Sequence, residues 1–269
     1  FLMKKKIICF PFVGDKLGGS HISTLLISKN IQKKFFLPII AVHSNGILTD
    51  YLENKKIKYS QLKNKTFLGE KKILQTNFFN FFRTLNETIY FLKKNKVDIV
   101  HTNDLRIHLM WSLSSKIFGC KCIWHQRSLF PDWLLYKSIS RLSNKILSIS
   151  QYVHSSLPKF NKNKSDIIYN PFIFNKKKII KRIVKKKLLK QLKINSKKYI
   201  VTFIANLEKR KNPLVFVKAS LMIEKKLKNK VVFLMIGDKR DEEIFSKILE
   251  HSENTKNFFY LGHKRNIDD

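Results

Sequence analysis

The sequence predicts an α/β protein built on doubly wound parallel sheets, and three observations predict it. Short apolar runs alternate with longer amphipathic ones from residue 7 to residue 262. Few of the apolar runs alternate with polar residues, which is the pattern of strands covered on both faces. At 269 residues the chain exceeds one small core, and its composition changes after Asn170-Pro171, where a lysine-rich run separates two such alternations. The expected division is residues 1–171, a basic linker with a lead-in helix over 172–198, and a second unit over 199–269.

Ile7–Val13 is the first expected strand, followed by the glycine-bearing loop Gly14–His21. Ser20 can cap a helix that Ile22, Leu25, Leu26 and Lys29 carry to about Lys34. Leu37–Val42 is a strand, Leu48–Lys55 a short helix and Ile57–Leu62 the third strand. An amphipathic stretch from about Lys71 to Lys96 contains Phe78, Phe79, Phe81, Phe82, Ile89, Tyr90, Phe91 and Leu92. Asp98–His101 then reads as strand, Arg106–Phe118 as helix, Cys120–His125 as strand and Trp133–Ser143 as helix. Ile146–Ile149, the short helix Gln151–Leu157 and the strand Asp166–Tyr169 complete the first unit.

Asn175–Lys187 has little to bury and leads to a helix at about Val184–Leu192. The second unit opens on Tyr199–Ala205, read as a strand buried on both faces. A polar turn with Lys209, Arg210 and Lys211 follows, and Pro213 suits the first turn of the next helix, with Asn212 as its N-cap. That helix runs to about Lys226. Strand Val231–Ile236, Gly237-Asp238, helix Glu242–His251 and strand Phe258–Gly262 come next. Three strands are too few to close such a domain, so the second unit is expected to be incomplete at Asp269.

The formal net charge of +35 points to an anionic partner. Nucleic acid fits poorly, because only 8 of the 54 basic residues are arginine and no helix-turn-helix or aromatic RNA-binding sheet motif is present. Lys, Asn, Ile and Phe are abundant together, as an AT-rich genome would produce, which places much of the charge on solvated faces. Cys120-Lys-Cys122 has neither zinc-knuckle nor redox spacing, so Cys9, Cys120 and Cys122 read as reduced thiols of a cytosolic protein. No apolar run reaches the roughly 20 residues of a membrane span.

Chemistry is expected where parallel strands end. Cations after Ala205 and ahead of a helix N-terminus form an anion site, with a solvated loop as the plain alternative. The loop Gly14–His21 lacks the dinucleotide-binding spacing, yet Gly18-Gly19 would let backbone approach a phosphate or sugar. His125 ends its strand facing the crevice. His101, with Asn103 and Asp104 able to reach the same crevice, lies on a comparable strand end, as does His43, and a hydrogen-bonded structural histidine is the ordinary explanation for any one of them. No carboxylates or histidines have metal-ligand spacing on one helix.

In this order the residues resemble the family 4 retaining glycosyltransferases of the GT-B fold, over nearly the whole chain. The resemblance rests on Gly18-Gly19 in KLGGSHIS, Asp98–His101, CIWHQ with His125, Ser148-Ile-Ser150, Asn170-Pro171, the segment Ala205–Asn212, Gly237-Asp238 and Tyr260-Leu261-Gly262. It implies two Rossmann-like domains facing across a cleft, and metal-independent, cofactor-free transfer of a sugar from a nucleoside-diphosphate sugar with retention. Lys211 matches the family's lysine, Asn206 stands where the family has arginine, and Arg210 could substitute. His125 matches the histidine beside the transferred sugar, and Gly19 the loop glycine near the diphosphate. Gly18 and Gly237 fall in donor-side motifs, and Tyr260 and Leu261 lie near the nucleobase. The acceptor-side candidates are His101, Asn103 and Arg127. The family's two-glutamate motif is expected beyond Asp269.

These implications describe a cytoplasmic enzyme of surface polysaccharide or lipopolysaccharide synthesis, acting on a glycan or lipid-linked acceptor. The Phe-rich stretch and its lysines raise peripheral attachment to an anionic membrane, against the plainer expectation that the stripe is core. The alternatives are a basic nucleic-acid-binding protein and a non-catalytic fragment of the same fold.

Overall fold

The computed structural model describes residues 4–64, 78–172, 181–194, 197–227, 229–253 and 255–264. The chain divides into two compact units, Phe1–Phe174 and Asn175–Asp269.

The first unit is a seven-stranded parallel sheet. Its strands are β1 (Lys6–Phe12), β2 (Phe36–Val42), β3 (Ser60–Gln61), β4 (Ile99–Thr102), β5 (Lys121–Gln126), β6 (Lys145–Ser148) and β7 (Ser165–Ile167). Their order is β3-β2-β1-β4-β5-β6-β7. The helices are α1 (Gly19–Asn30), α2 (Ile47–Asn54), α3 (Phe78–Lys94), α4 (Leu105–Phe118), α5 (Leu134–Ser140), α6 (Gln151–Ser155) and α7 (Lys159–Lys162). Strand β1 shows why the sheet is covered twice. Ile8, Phe10 and Phe12 join Val42, Leu48 and Leu52 in one apolar cluster, while Cys9 joins Ala41, Leu92, Val100 and Trp111 in another. Alternate residues of a strand point to opposite faces, so an unbroken apolar run requires a layer on each. The order reverses between β1 and β4, and the loops leaving those two strands diverge there, opening a crevice at their carboxyl ends.

Local departures from expectation have local causes. Helix α1 is capped by Gly18 rather than Ser20, because His21 Nδ1 accepts the Gly18 N–H at 3.0 Å and the Gly18 carbonyl accepts from Ile22 at 3.1 Å. Strand β3 shrinks to two residues, since only Ser60 and Gln61 pair with Ala41 and Val42. In α3, Leu85, Phe91 and Leu92 are buried, with Phe81 and Ile89 packed against them, while Phe82 and Tyr90 are exposed. Of the described stripe, Phe81, Ile89, Phe91 and Leu92 are therefore core, while Phe82 and Tyr90 face outward. Residues 71–77, the side chains of Phe78 and Phe79, and residues 173–180, which include the start of the basic run, lie outside the described residues. The three cysteines are free, and burial pushes the Cys122 thiol up to about 12.

The second unit is a parallel sheet of β8 (Tyr199–Ile204), β9 (Val231–Ile236) and β10 (Phe258–Tyr260), in the order β10-β9-β8. Its helices are α8 (Lys181–Gln191), α9 (Pro213–Leu227) and α10 (Glu242–Glu253). Central β9 is covered on both faces. Val232 and Leu234 pack with Leu189 of α8, and Val231, Phe233 and Met235 pack with Val217 of α9 and Ile244 and Ile248 of α10. Strand β8 is not buried as expected: Tyr199, Val201 and Ile204 are 69%, 40% and 51% exposed. It is the edge strand, with β9 as its one neighbour among the described residues. Among the described residues no helix is long and apolar enough to cross a membrane.

Candidate functional site

The crevice of the first unit gathers side chains from distant parts of the sequence. Asp104 caps α4 by accepting the Arg106 N–H at 2.8 Å. That cap aims the Arg106 guanidinium at Asp15, which leaves β1, and the two meet as a fork at 2.8 and 2.9 Å. Burial works to raise the Asp15 carboxyl, and the Arg106 hydrogen bonds and charge outweigh it, holding it below its usual range.

Strand register brings the next pair together. His101 of β4 is aligned with Ile123 of β5, so His125, two residues on, points to the same face. His101 Nε2 and His125 Nδ1 are 3.1 Å apart, and both residues are buried. Arg127 closes the group. Its Nη2 reaches His125 Nδ1 at 3.3 Å and Thr24 Oγ1 at 2.9 Å, and its Nη1 reaches Ser23 Oγ at 3.0 Å and Asn170 Oδ1 at 2.6 Å. Burial, reinforced by the Arg127 charge, lowers His101 to about 3 and His125 to about 2. Burial also lowers Arg127 to about 10. Both histidines are neutral near pH 7, and Arg127 keeps its charge.

Among the described residues, His125 Nε2, Arg127 Nε, His21 Nε2 and Asn103 Oδ1 are buried without a hydrogen-bond partner. Such groups carry an uncompensated desolvation cost of about 1–3 kcal/mol each, so a cluster of them in a crevice is a place for a polar ligand. Asn103 donates its amide to the Pro11 carbonyl at 3.1 Å rather than to the histidine pair. Gly18 and Gly19 begin the helix whose next turn supplies Ser23 and Thr24 to Arg127. A Cβ at Gly19 would meet nothing within 4 Å, so the fold itself does not require glycine there.

Two other histidines are core. His43 is bonded on both ring nitrogens, by the Asn64 carbonyl at 2.8 Å and Trp111 Nε1 at 2.9 Å. His108 bonds Thr102 Oγ1 at 2.7 Å and stacks on Trp124 with centroids 4.2 Å apart. Asp104 stands in the crevice as the segment His101–Asp104 led one to expect, whereas sequence reasoning missed Asp15, Arg106, His21, Ser23 and Thr24 as parts of it.

In the second unit the strand ends converge on Gly237. Its φ of +154° and the Ala205 carbonyl, 1.8 Å from any added Cβ, exclude a side chain. Its carbonyl accepts the Tyr260 hydroxyl at 2.9 Å, and the Leu261 N–H is donated to Met235 at 2.9 Å. Asn206 is adjacent, exposed at the end of β8, so Asn206, Gly237, Tyr260 and Leu261 share one edge. Lys209–Lys211 form a 3-10 turn, and Asn212 has a left-handed backbone with φ of 51° just before α9. Arg210 pairs with Glu208 at 2.7 Å. Lys211 is exposed and forms no ion pair with any described residue. Among the described residues no three His, Cys, Asp or Glu side chains are grouped to hold a metal ion.

Residues 184–269 match the family described as glycosyl transferases group 1. The solved structures similar to this chain include a glycosyltransferase from Rickettsia africae ESF-5 at 19% identity, covering 98% of this chain and 69% of that one with a TM-score of 0.76. Anabaena Alr3699/HepE in complex with UDP and glucose is 15% identical, covering 96% and 69% with a TM-score of 0.71. A UDP-GlcNAc 2-epimerase from Neisseria meningitidis bound to UDP-GlcNAc is 13% identical, covering 98% and 73% with a TM-score of 0.59. No curated protein matches the sequence. The fold is GT-B.

Proposed function

We propose that this protein transfers a sugar from a nucleoside-diphosphate sugar to a glycan or lipid-linked acceptor, with retention at the anomeric carbon and without a metal ion. The observation that carries the reading is the cationic turn Lys209–Lys211, which follows β8 inside the segment matching the transferase family. A leaving diphosphate develops charge as the glycosidic bond to the donor breaks. Lys211 and Arg210, beside the N-terminus of α9, offset that charge. Residues 199–269 supply donor contacts in this reading, with Tyr260 and Leu261 near the nucleobase and Asn206 and Gly237 along the diphosphate. Residues 1–171 supply the acceptor side, with His101, Asn103 and Arg127, and place His125 against the transferred sugar and Gly18 and Gly19 near the diphosphate. The UDP and glucose held by the Anabaena neighbour favour a uridine donor. We place the reaction in surface polysaccharide or lipopolysaccharide synthesis, in the cytoplasm and peripherally at the inner face of the membrane.

The test is turnover of a panel of nucleotide sugars by the full-length protein, followed with and without acceptor. His125→Ala and Lys211→Ala should each lower the rate by about 10²-fold or more. Wild-type rates in both variants would remove these residues from the site. The epimerase neighbour shares the fold, so an epimerised donor formed without any acceptor would replace the transferase reading.

A further inference from the structure

We propose that Arg127 is a positioning residue that fixes the His125 ring with its proton on Nε2, so that His125 meets substrate as a hydrogen-bond donor and never as a base. The role of His125 beside the sugar rests on the function proposed above; the state of its ring rests on geometry alone. A guanidinium has five N–H donors and no acceptor, so the Arg127 Nη2 contact at 3.3 Å requires Nδ1 of His125 to accept. A neutral imidazole carries one proton, which must then sit on Nε2. His101 reaches the same Nδ1 lone pair through its own Nε2 at 3.1 Å, and it too must donate.

Arg127 cannot easily turn away from this task. Its two terminal nitrogens are also held by Ser23 and Thr24 of α1 and by Asn170 beyond β7. The groups facing His125 all oppose a positive ring: His101 from β4, His108 from α4 and Arg127 after β5. The α1 side presents two hydroxyls and the segment after β7 an amide, none of which can neutralise an imidazolium. The Nε2–H that results is buried and has no partner among the described residues. It fits an oxygen lone pair on an uncharged polyol, and it has no lone pair with which to take a proton.

The test is the tautomer of His125, read from the ring ¹⁵N shifts of the full-length protein without substrate, with kcat against pH measured alongside. The wild type should show only the Nε2–H form from about pH 5 to 8, with no histidine ionisation in kcat. Arg127→Met should mix the two tautomers, introduce an ionisation between about pH 5 and 7, and lower kcat about 10-fold or more while KM for the donor changes less. Arg127→Lys, which keeps the charge and one donor, should recover part of both signals. An Nδ1–H or charged ring in the wild type overturns the proposal, as does an unaltered tautomer in Arg127→Met. Should Arg127→Met not fold, the wild-type spectrum still decides. A ring in the stated form with full activity in His125→Ala would instead sink the sugar-side role and leave the tautomer assignment standing.

Discussion

The carboxyl ends of the two sheets are built from opposite materials. In the first unit His101 and His125 are buried, uncharged and tied to one another and to Arg127. In the second unit Arg210 and Lys211 are exposed, and among the described residues their one ion pair is that of Arg210 with Glu208. Buried hydrogen bonds act through geometry and are little affected by salt, whereas solvated charges act at a distance and are screened by it. The two ends nevertheless share a device. Gly14 follows β1 with φ of +110°, where an added Cβ would lie 1.9 Å from the Ser44 carbonyl. Gly237 follows β9 in the same relation to Ala205. Each glycine lets neighbouring strand ends approach closely.

Acid should break the comparison most visibly. The folded protein keeps His101 and His125 neutral down to about 3 and about 2, while the unfolded chain protonates them near 6.5. Above that value they contribute no pH dependence. As pH falls below it the unfolded state gains protons that the folded state refuses, and stability declines until the folded values are reached. At pH 5 the two together should cost the first unit about 4 kcal/mol. Denaturant midpoints between pH 7 and pH 5 measure this. The second unit, with no buried histidine among its described residues, is the internal reference, and equal losses in both units would refute the assignment.

Glycine substitutions should come next. Gly14→Ala and Gly237→Ala each combine a left-handed backbone with a carbonyl clash, and each should destabilise its own unit by about 3 kcal/mol or more in calorimetry. Gly19→Ala has open space and should leave the melting temperature unchanged or slightly higher. A raised KM for the donor in that variant would mark Gly19 as a point of ligand approach, and an unchanged KM would remove it from the donor site.

Salt sharpens the contrast among the catalytic variants. The roughly 10²-fold loss in His125→Ala should be the same at about 50 mM and 500 mM salt, whereas the Lys211→Ala loss should shrink at the higher concentration. A salt-independent Lys211 defect would mean that the lysine works from a desolvated position. The smallest effect belongs to Arg210→Ala, which should change stability by less than about 1 kcal/mol, since its pair is solvated.

Much of the fold is legible in the amino-acid sequence. Strand β9 matched its expected limits, Val231–Ile236, because six consecutive apolar residues suit a strand covered on both faces. The apolar run at β8 was just as clear and misled, because an edge strand and a central one differ in their neighbours and not in their own residues. Of the site, Gly18-Gly19, His101, His125 and the Lys209–Lys211 turn were legible as strand-end residues. Arg127 was legible as a residue, but the pairings that decide the chemistry were not: Asp15 and Arg106 are 91 residues apart, and Arg127 stands 103 residues from Thr24.

What the sequence determined alone is therefore local: the alternation that makes strands and helices, the parallel sheets they must form, and the residue types waiting at each strand end. Tertiary structure decided which of those residues meet. Aligning His101 with Ile123 sets His125 on the same face two residues later, and only then can Arg127 choose which nitrogen keeps the proton. Periodicity is a property of a segment, whereas register is a property of two segments, and the site is made of register.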